Sequence, residues 1–120
     1  DVLLSIYRPR MDLFISLLDS INAQTYKNAT LIVANDNPAD DSSYEPLIRR
    51  HVHRYKVIYY KNPKNLGTTA SFENLTRKSS SSYIAYCDQD DIWLPEKLET
   101  LVQVAEKSSA DLVLPGSKQL

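Results

Sequence analysis

Short apolar runs rich in β-forming residues alternate along this chain with segments of helical period, and that alternation restricts the fold more than any single residue does. The runs occupy residues 2–6, 29–34, 56–60, 83–87 and 111–114. Each has strand length, and each interval is long enough for a crossover helix, which parallel strands require. The pattern predicts an α/β fold, a three-layer α/β/α arrangement around a mainly parallel sheet.

Between the first two runs, Met11, Phe14, Ile15, Leu18 and Ile21 recur at helical spacing and predict one buried stripe, with Pro9 and Arg10 at the helix start. Weaker periodicity predicts helices over 43–53 and 69–78. A fourth helix is expected to begin at Pro95, just past a cluster of aspartates. Glu96 and Glu99 suit its N-terminal dipole, and Leu98, Leu101, Val102 and Ala105 form its apolar stripe. With 120 residues and no repeat or linker, residues 1–120 are expected to form a single domain around one core. Strand-like runs lie close to both ends, so the chain is expected to be part of a longer protein.

Charge and cysteine content narrow the function. A formal net charge of −1 is not the electrostatic footprint of a protein that neutralises many phosphates of DNA or RNA, so no nucleic-acid partner is expected. The single cysteine, Cys87, sits in an apolar run and reads as a small buried thiol. No stretch reaches the length of a membrane span and no leader pattern opens the chain. A reducing, cytoplasmic setting is the expectation, with the inner face of the membrane as a second possibility.

In an open parallel α/β sheet, ligands bind beyond the carboxyl ends of the strands. The residues following the runs include Tyr7, Asp36, Asp88, Asp90 and Asp91, an unusually acidic set. Three aspartates within four residues repel one another unless a helix dipole or a cation relieves them. Carboxylates with no histidine nearby suit Mg²⁺ or Mn²⁺, which take one or two carboxylates and let substrate phosphates complete the shell. The plainer reading is a capping cluster on the fourth helix. An Asp-x-Asp triplet alone does not decide between them. Gly67 and Gly116 are the only glycines, so neither a Walker A loop nor a G-x-G-x-x-G turn can be assembled. A bound diphosphate would then depend on a metal and basic side chains.

The motifs, in order, resemble those of family 2 glycosyltransferases: Ser5-Ile6-Tyr7; Leu17-Leu18-Asp19-Ser20-Ile21-Asn22-Ala23-Gln24-Thr25-Tyr26; Leu31-Ile32-Val33-Ala34-Asn35-Asp36; Asn65-Leu66-Gly67; Phe72-Glu73-Asn74; and Tyr83 through Asp88-Gln89-Asp90-Asp91-Ile92-Trp93-Leu94-Pro95 to Leu98. The last block is similar to the rhamnosyltransferase-like branch. The resemblance implies a GT-A fold whose first half binds the nucleoside diphosphate sugar, a UDP- or dTDP-sugar. Ser5 and Tyr7 would line the base pocket, Asp36 would hydrogen-bond the base, Asp88 would approach the ribose and share the metal site, and Asp90 would ligate the Mn²⁺ or Mg²⁺ that bridges the diphosphate.

The resemblance also implies an inverting transfer to a glycan or lipid-linked acceptor in cell-envelope polysaccharide synthesis, with the catalytic base beyond residue 120. No catalytic residue is assigned within the chain. Two departures stand out. Tyr7-Arg8 replaces the family's common Tyr-Asn, which alters the loop after the first strand. Asn35-Asp36-Asn37-Pro38 replaces Asp-Asp-Gly-Ser, with Asn37 expected to supply the left-handed tolerance of the missing glycine.

Two other functions compete. A non-catalytic nucleotide- or metal-binding module fits the same residues. A phosphatase-like Asp-x-Asp site usually places its pair after the first strand, whereas this pair follows the fourth. The basic run of Arg49, Arg50, His51, His53, Arg54 and Lys56 reads as a solvated helix end, and alternatively as a peripheral contact with a membrane or an anionic acceptor. His51 and His53 are expected to face different sides of a helix, and Trp93 to be a packing anchor rather than a wall of the sugar pocket.

Overall fold

A computed structural model describes residues 1–39, 44–108 and 112–113. Five strands, β1 (Val2–Ile6), β2 (Thr30–Asn35), β3 (Lys56–Lys61), β4 (Ile84–Asp88) and β5 (Leu112–Val113), alternate with α1 (Met11–Asn22), α2 (Glu45–His51), α3 (Thr68–Lys78) and α4 (Lys97–Ser108). They form one sheet in the order β3-β2-β1-β4-β5, and each neighbouring pair is parallel. The predicted strands and helices are all present. The predicted starts at Ser43 and Asp111 and the strand end at Leu114 lie outside the described residues.

Two-residue alternation along the strands sends side chains to opposite faces, and each face has its own core. On one face Val2, Leu4, Ile6, Leu31, Val33, Ala85 and Cys87 pack with Phe14, Leu17, Leu18 and Ile21 of α1, Ile48 of α2, and Leu98 and Leu101 of α4. On the other, Leu3, Ile32 and Ala34 pack with Leu75 of α3. This is the expected three-layer arrangement, with α3 alone on its side among the described helices.

The α1 stripe differs from the sequence expectation. Phe14, Leu18 and Ile21 are buried as predicted, but Leu17 completes the stripe, while Met11 is 44% exposed and Ile15 is only half-buried. Residues 14, 17, 18 and 21 make an equally good helical face, and Met11, the first residue of α1, remains exposed. Helix α2 ends at His51, with Val52 as its buried C-cap, instead of continuing to His53.

Chain order and sheet order together locate a crevice. From β1 the chain moves outward through β2 to β3, then crosses over α3 to β4 on the opposite side of β1. The direction of winding therefore reverses between β1 and β4. Beyond the carboxyl ends of those two strands lies the topological switch point where α/β sheets bind ligands.

Candidate functional site

The structure brings Tyr7 and the aspartate cluster together at this switch point. The β1–β4 register ends at the pair Ser5 and Asp88. Past it, β4 turns: the Asp91 amide donates to the Asp88 carbonyl (3.1 Å) and the Asp90 amide to Asp88 Oδ1 (3.2 Å). Asp88 and Asp90 are exposed and Asp91 is partly buried. Gln89, between the two exposed carboxylates, reaches back to β1. Its Oε1 accepts the Tyr7 amide (2.8 Å) and its Nε2 donates to the Tyr7 carbonyl (3.1 Å).

Tyr7 is 40% exposed, with the Arg8 guanidinium 5.2 Å from its ring centroid. Arg8 has φ +44°, the only positive φ among the described non-glycine residues. That left-handed geometry is where the family's asparagine would be at ease and arginine is not. Asn37, by contrast, is not left-handed, so the expected substitute for glycine is not used in that way. Its amide instead donates to Asn35 Oδ1 in a local turn (3.1 Å).

Ser5 and Asp36 belong to a second, buried network beside the first. Ser5 Oγ donates to Ser71 Oγ of α3 (2.6 Å), and Asn62 Nδ2 donates to both Ser71 Oγ (3.0 Å) and Asp36 Oδ1 (2.9 Å). Asp36, only 3% exposed, also accepts the Leu66 amide at Oδ1 (2.9 Å) and the Gly67 amide at Oδ2 (3.0 Å). Charge-assisted bonds of this kind are the strong ones. They fasten the loop between β3 and α3, with its Asn65-Leu66-Gly67 segment, to the end of β2. Asn62 and Ser71 were not singled out by sequence reasoning. Their burial, at 2% and 0% exposure, is what marks them.

The helix-cap reading of the aspartates does not fit the backbone, because α4 begins at Lys97 rather than at Pro95 and residues 92–96 intervene. The cause is Gln24, fully buried at the end of α1. Its Nε2 donates to the Leu94 carbonyl (2.8 Å) and its Oε1 accepts the Leu98 amide (2.9 Å). Those two backbone groups would otherwise bond each other as an i→i+4 helical pair. The Pro95 carbonyl is likewise taken by the Thr25 amide (2.9 Å). The carboxamide thus satisfies the helix end in place of an aspartate and ties the segment after the acidic turn to α1. The Trp93 amide adds a further tie to Ser20 Oγ (3.0 Å). Gln24 was visible in the sequence only as part of a motif, not as a cap. Trp93 is the expected packing anchor, 3% exposed in the α1–α4 core.

The site can be assessed for a metal on its own chemistry. Asp88 and Asp90 offer exposed oxygen donors, and no cluster of three or more His, Cys, Asp or Glu side chains is arranged to hold an ion among the described residues. Two carboxylates with an open side fit an Mg²⁺- or Mn²⁺-type site completed by substrate phosphates. Cys87 points into the core, where burial pushes its thiol well above the usual range, so it is no ligand here.

The basic run is largely used internally. Arg49 pairs with Glu45 (2.9 Å) and donates to the Val57 carbonyl, and Arg54 donates to the Asn22 carbonyl. His51 and His53 both reach α1 instead of facing apart, contacting Asp19 (2.8 Å) and Asn22 (3.2 Å). No helix among the described residues is long and apolar enough to cross a membrane. A cavity of about 270 Å³ lies at the opposite ends of β1 and β4, lined by Val2, Tyr26, Tyr83, Leu98 and Leu101, and is separate from this site.

The family model described as glycosyl transferase family 2 matches residues 10–119. The chain belongs to that family. Within it, an uncharacterized glycosyltransferase of Methanocaldococcus jannaschii is 35% identical over 92 residues, covering 76% of this chain and 31% of the relative. An Escherichia coli protein named UDP-Glc:alpha-D-GlcNAc-diphosphoundecaprenol beta-1,3-glucosyltransferase is 28% identical over 112 residues, covering 91% and 43%. The chain thus spans less than half the length of each. Among solved structures, the 1-349 portion of Staphylococcus aureus TarS in complex with UDP matches with TM-score 0.74 at 15% identity, covering 88% of this chain and 31% of that one. At that identity the likeness concerns the fold, and the fold is the GT-A type that the motifs implied.

Proposed function

We propose that this glycosyl transferase family 2 chain is the donor-binding part of an enzyme that transfers a sugar from a nucleoside diphosphate sugar to an acceptor hydroxyl. The observation that carries this reading is the link between the Tyr7 backbone and Gln89, the residue between Asp88 and Asp90, at the crevice between β1 and β4. An exposed aromatic residue and two exposed carboxylates at one crevice suit a molecule with a flat base at one end and a diphosphate at the other. The E. coli relative named for a UDP-glucose donor and a lipid-diphosphate acceptor supports the donor class, as does the UDP complex of TarS.

In this reading Tyr7 stacks on the base. Asp36, whose two oxygens already accept three hydrogen bonds, has roughly one lone pair left for a base N–H. Ser5 supports the pocket from below through Ser71. Asp88 and Asp90 hold Mg²⁺ or Mn²⁺, and Asp88, nearest the strand, approaches the ribose. Bound there, the metal supplies charge stabilisation for the departing nucleoside diphosphate. A base outside this chain activates the acceptor hydroxyl, giving inversion at the anomeric carbon. A glycan or lipid-linked acceptor at the cytoplasmic face of a membrane, in cell-envelope polysaccharide synthesis, is the setting we propose. The phosphatase-like alternative lacks its usual geometry, since the Asp pair follows β4 and not β1.

Titration with UDP, dTDP and GDP, with and without Mn²⁺, tests the reading. A nucleoside diphosphate should bind with Mn²⁺, and Asp90→Ala should weaken that metal-dependent binding by about tenfold or more, in keeping with losing one of two carboxylate ligands. If no nucleoside diphosphate binds, and Asp90→Ala leaves metal affinity unchanged, the reading is wrong.

A further inference from the structure

Gln89 lies at the middle position of the acidic triplet, where sequence reasoning assigns no role, yet its side chain makes the most direct link between the two halves of the site. The β1–β4 ladder stops at Ser5 and Asp88 because the chain turns at residues 89–90. Beyond that point the amide and carbonyl of Tyr7 have no strand partner on the β4 side. The Gln89 carboxamide supplies both, accepting at 2.8 Å and donating at 3.1 Å, as the next residue of a neighbouring strand would. The turn it steadies is one that needs steadying, because Arg8, the next residue, is held at φ +44°.

We propose that Gln89 is a positioning residue that sets the spacing between the base-stacking ring of Tyr7 and the metal-binding carboxylates of Asp88 and Asp90, so that the two ends of one nucleotide are read in register. This rests on the nucleotide reading above. Gln89 touches neither the base nor the metal. It acts through the Tyr7 backbone on one side and through the Asp88–Asp90 turn on the other. Without the carboxamide, the carboxylates remain on their turn, held by the Asp90 and Asp91 amides. The Tyr7-Arg8 segment loses both of its fixed points on the turn after β4. The consequence is selective: recognition of a whole nucleoside diphosphate suffers, and recognition of the diphosphate alone does not.

The test compares the chain with its Gln89→Met variant, which keeps the side-chain length and removes both hydrogen bonds. Calorimetric titration uses UDP and inorganic diphosphate, each with Mg²⁺, and amide hydrogen exchange is followed at Tyr7 without ligand. UDP affinity should fall about tenfold, within the usual range of coupling between linked sites. Diphosphate affinity should stay within about twofold, and the Tyr7 amide should exchange about tenfold faster in the variant. Unchanged UDP affinity overturns the proposal, as does an equal loss for UDP and diphosphate, which would mean that the acidic turn itself had collapsed. Failure of the unsubstituted chain to bind UDP, dTDP or GDP overturns the nucleotide reading instead, a result distinguishable because it appears before any substitution is made. Unaltered Tyr7 exchange in the variant overturns the clamp whatever the ligand data show.

Discussion

Gln24 offers the sharpest test of how the acidic turn is held in place. Replacing it with methionine keeps nearly the same volume in a fully buried site but removes the carboxamide that separates Leu94 from Leu98. One buried backbone group then loses its partner, the Leu98 amide at 2.9 Å from Oε1, whereas the Leu94 carbonyl, at 2.8 Å from Nε2, keeps the Lys97 amide at 3.0 Å. The bond from Nε2 to the Ser20 carbonyl, at 3.1 Å, matters less, since that carbonyl lies in the last turn of α1. Leaving a buried donor unsatisfied costs about 1–3 kcal/mol, which is the loss expected here. A chain of this size loses roughly 3–5 °C in melting temperature per kcal/mol, which gives a fall of about 3–15 °C.

The assay is urea unfolding with a matched thermal melt of the unsubstituted chain, Gln24→Met and Gln24→Ala. If the polar bridge dominates, Met and Ala destabilise to a similar degree, with Ala adding only a cavity increment of about 1–2 kcal/mol. If Met lies within about 0.5 kcal/mol of the unsubstituted chain, one of two things follows: α4 has extended backward to close its own Leu94–Leu98 bond, or water has replaced the carboxamide. Either outcome refutes the claim that Gln24 sets the start of α4.

Two further outcomes follow from single positions. Cys87 is fully buried and its thiol is raised by that burial, so it should resist thiol reagents until the chain unfolds. Its linkage to pH has a definite sign: stability is fully present below the unfolded thiol's value of about 8.5 and declines as the pH rises above it, because only the unfolded state ionises readily there. A rate of labelling as fast as that of free cysteine at neutral pH would contradict the burial. Gly67 sits at φ +84° and ψ 161° before α3, with open space where a Cβ would lie, so Gly67→Ala is strained by its backbone and not by a clash. It should cost about 1–3 kcal/mol in a denaturant melt and loosen the amide that Asp36 holds, and a neutral result would show that the loop relaxes freely.

Local pattern made the layers legible in the sequence, whereas contacts between distant residues settled the site. The short apolar runs of β1 and β2 and the stripes of α1 and α4 each read correctly to within a residue or two, because run length and period 3.6 are properties of neighbours. The rotation of α1 did not, since Ile15 and Leu17 flank the same central stripe and only the facing sheet chooses between them. Pro95 is a sound helix-start signal that lost to a tertiary competitor, a glutamine about seventy residues away in sequence that occupies the hydrogen-bonding groups a helix would use. The aspartates of the acidic turn were visible as chemistry, yet the residues that position them, Gln24, Gln89 and Ser20, are polar side chains bonded to distant backbone groups, and no spacing rule reports such a contact. Asp36 shows the same limit from the other side. Its place after β2 marked it as a ligand residue, and its engagement with Asn62, Leu66 and Gly67 gives it a prior task, that of holding the β3–α3 loop against the crevice. Any base it binds must share a carboxylate already committed to the fold, so substitutions at Asp36 should disturb loop order and ligand affinity together, while those at Asp90 should disturb affinity alone.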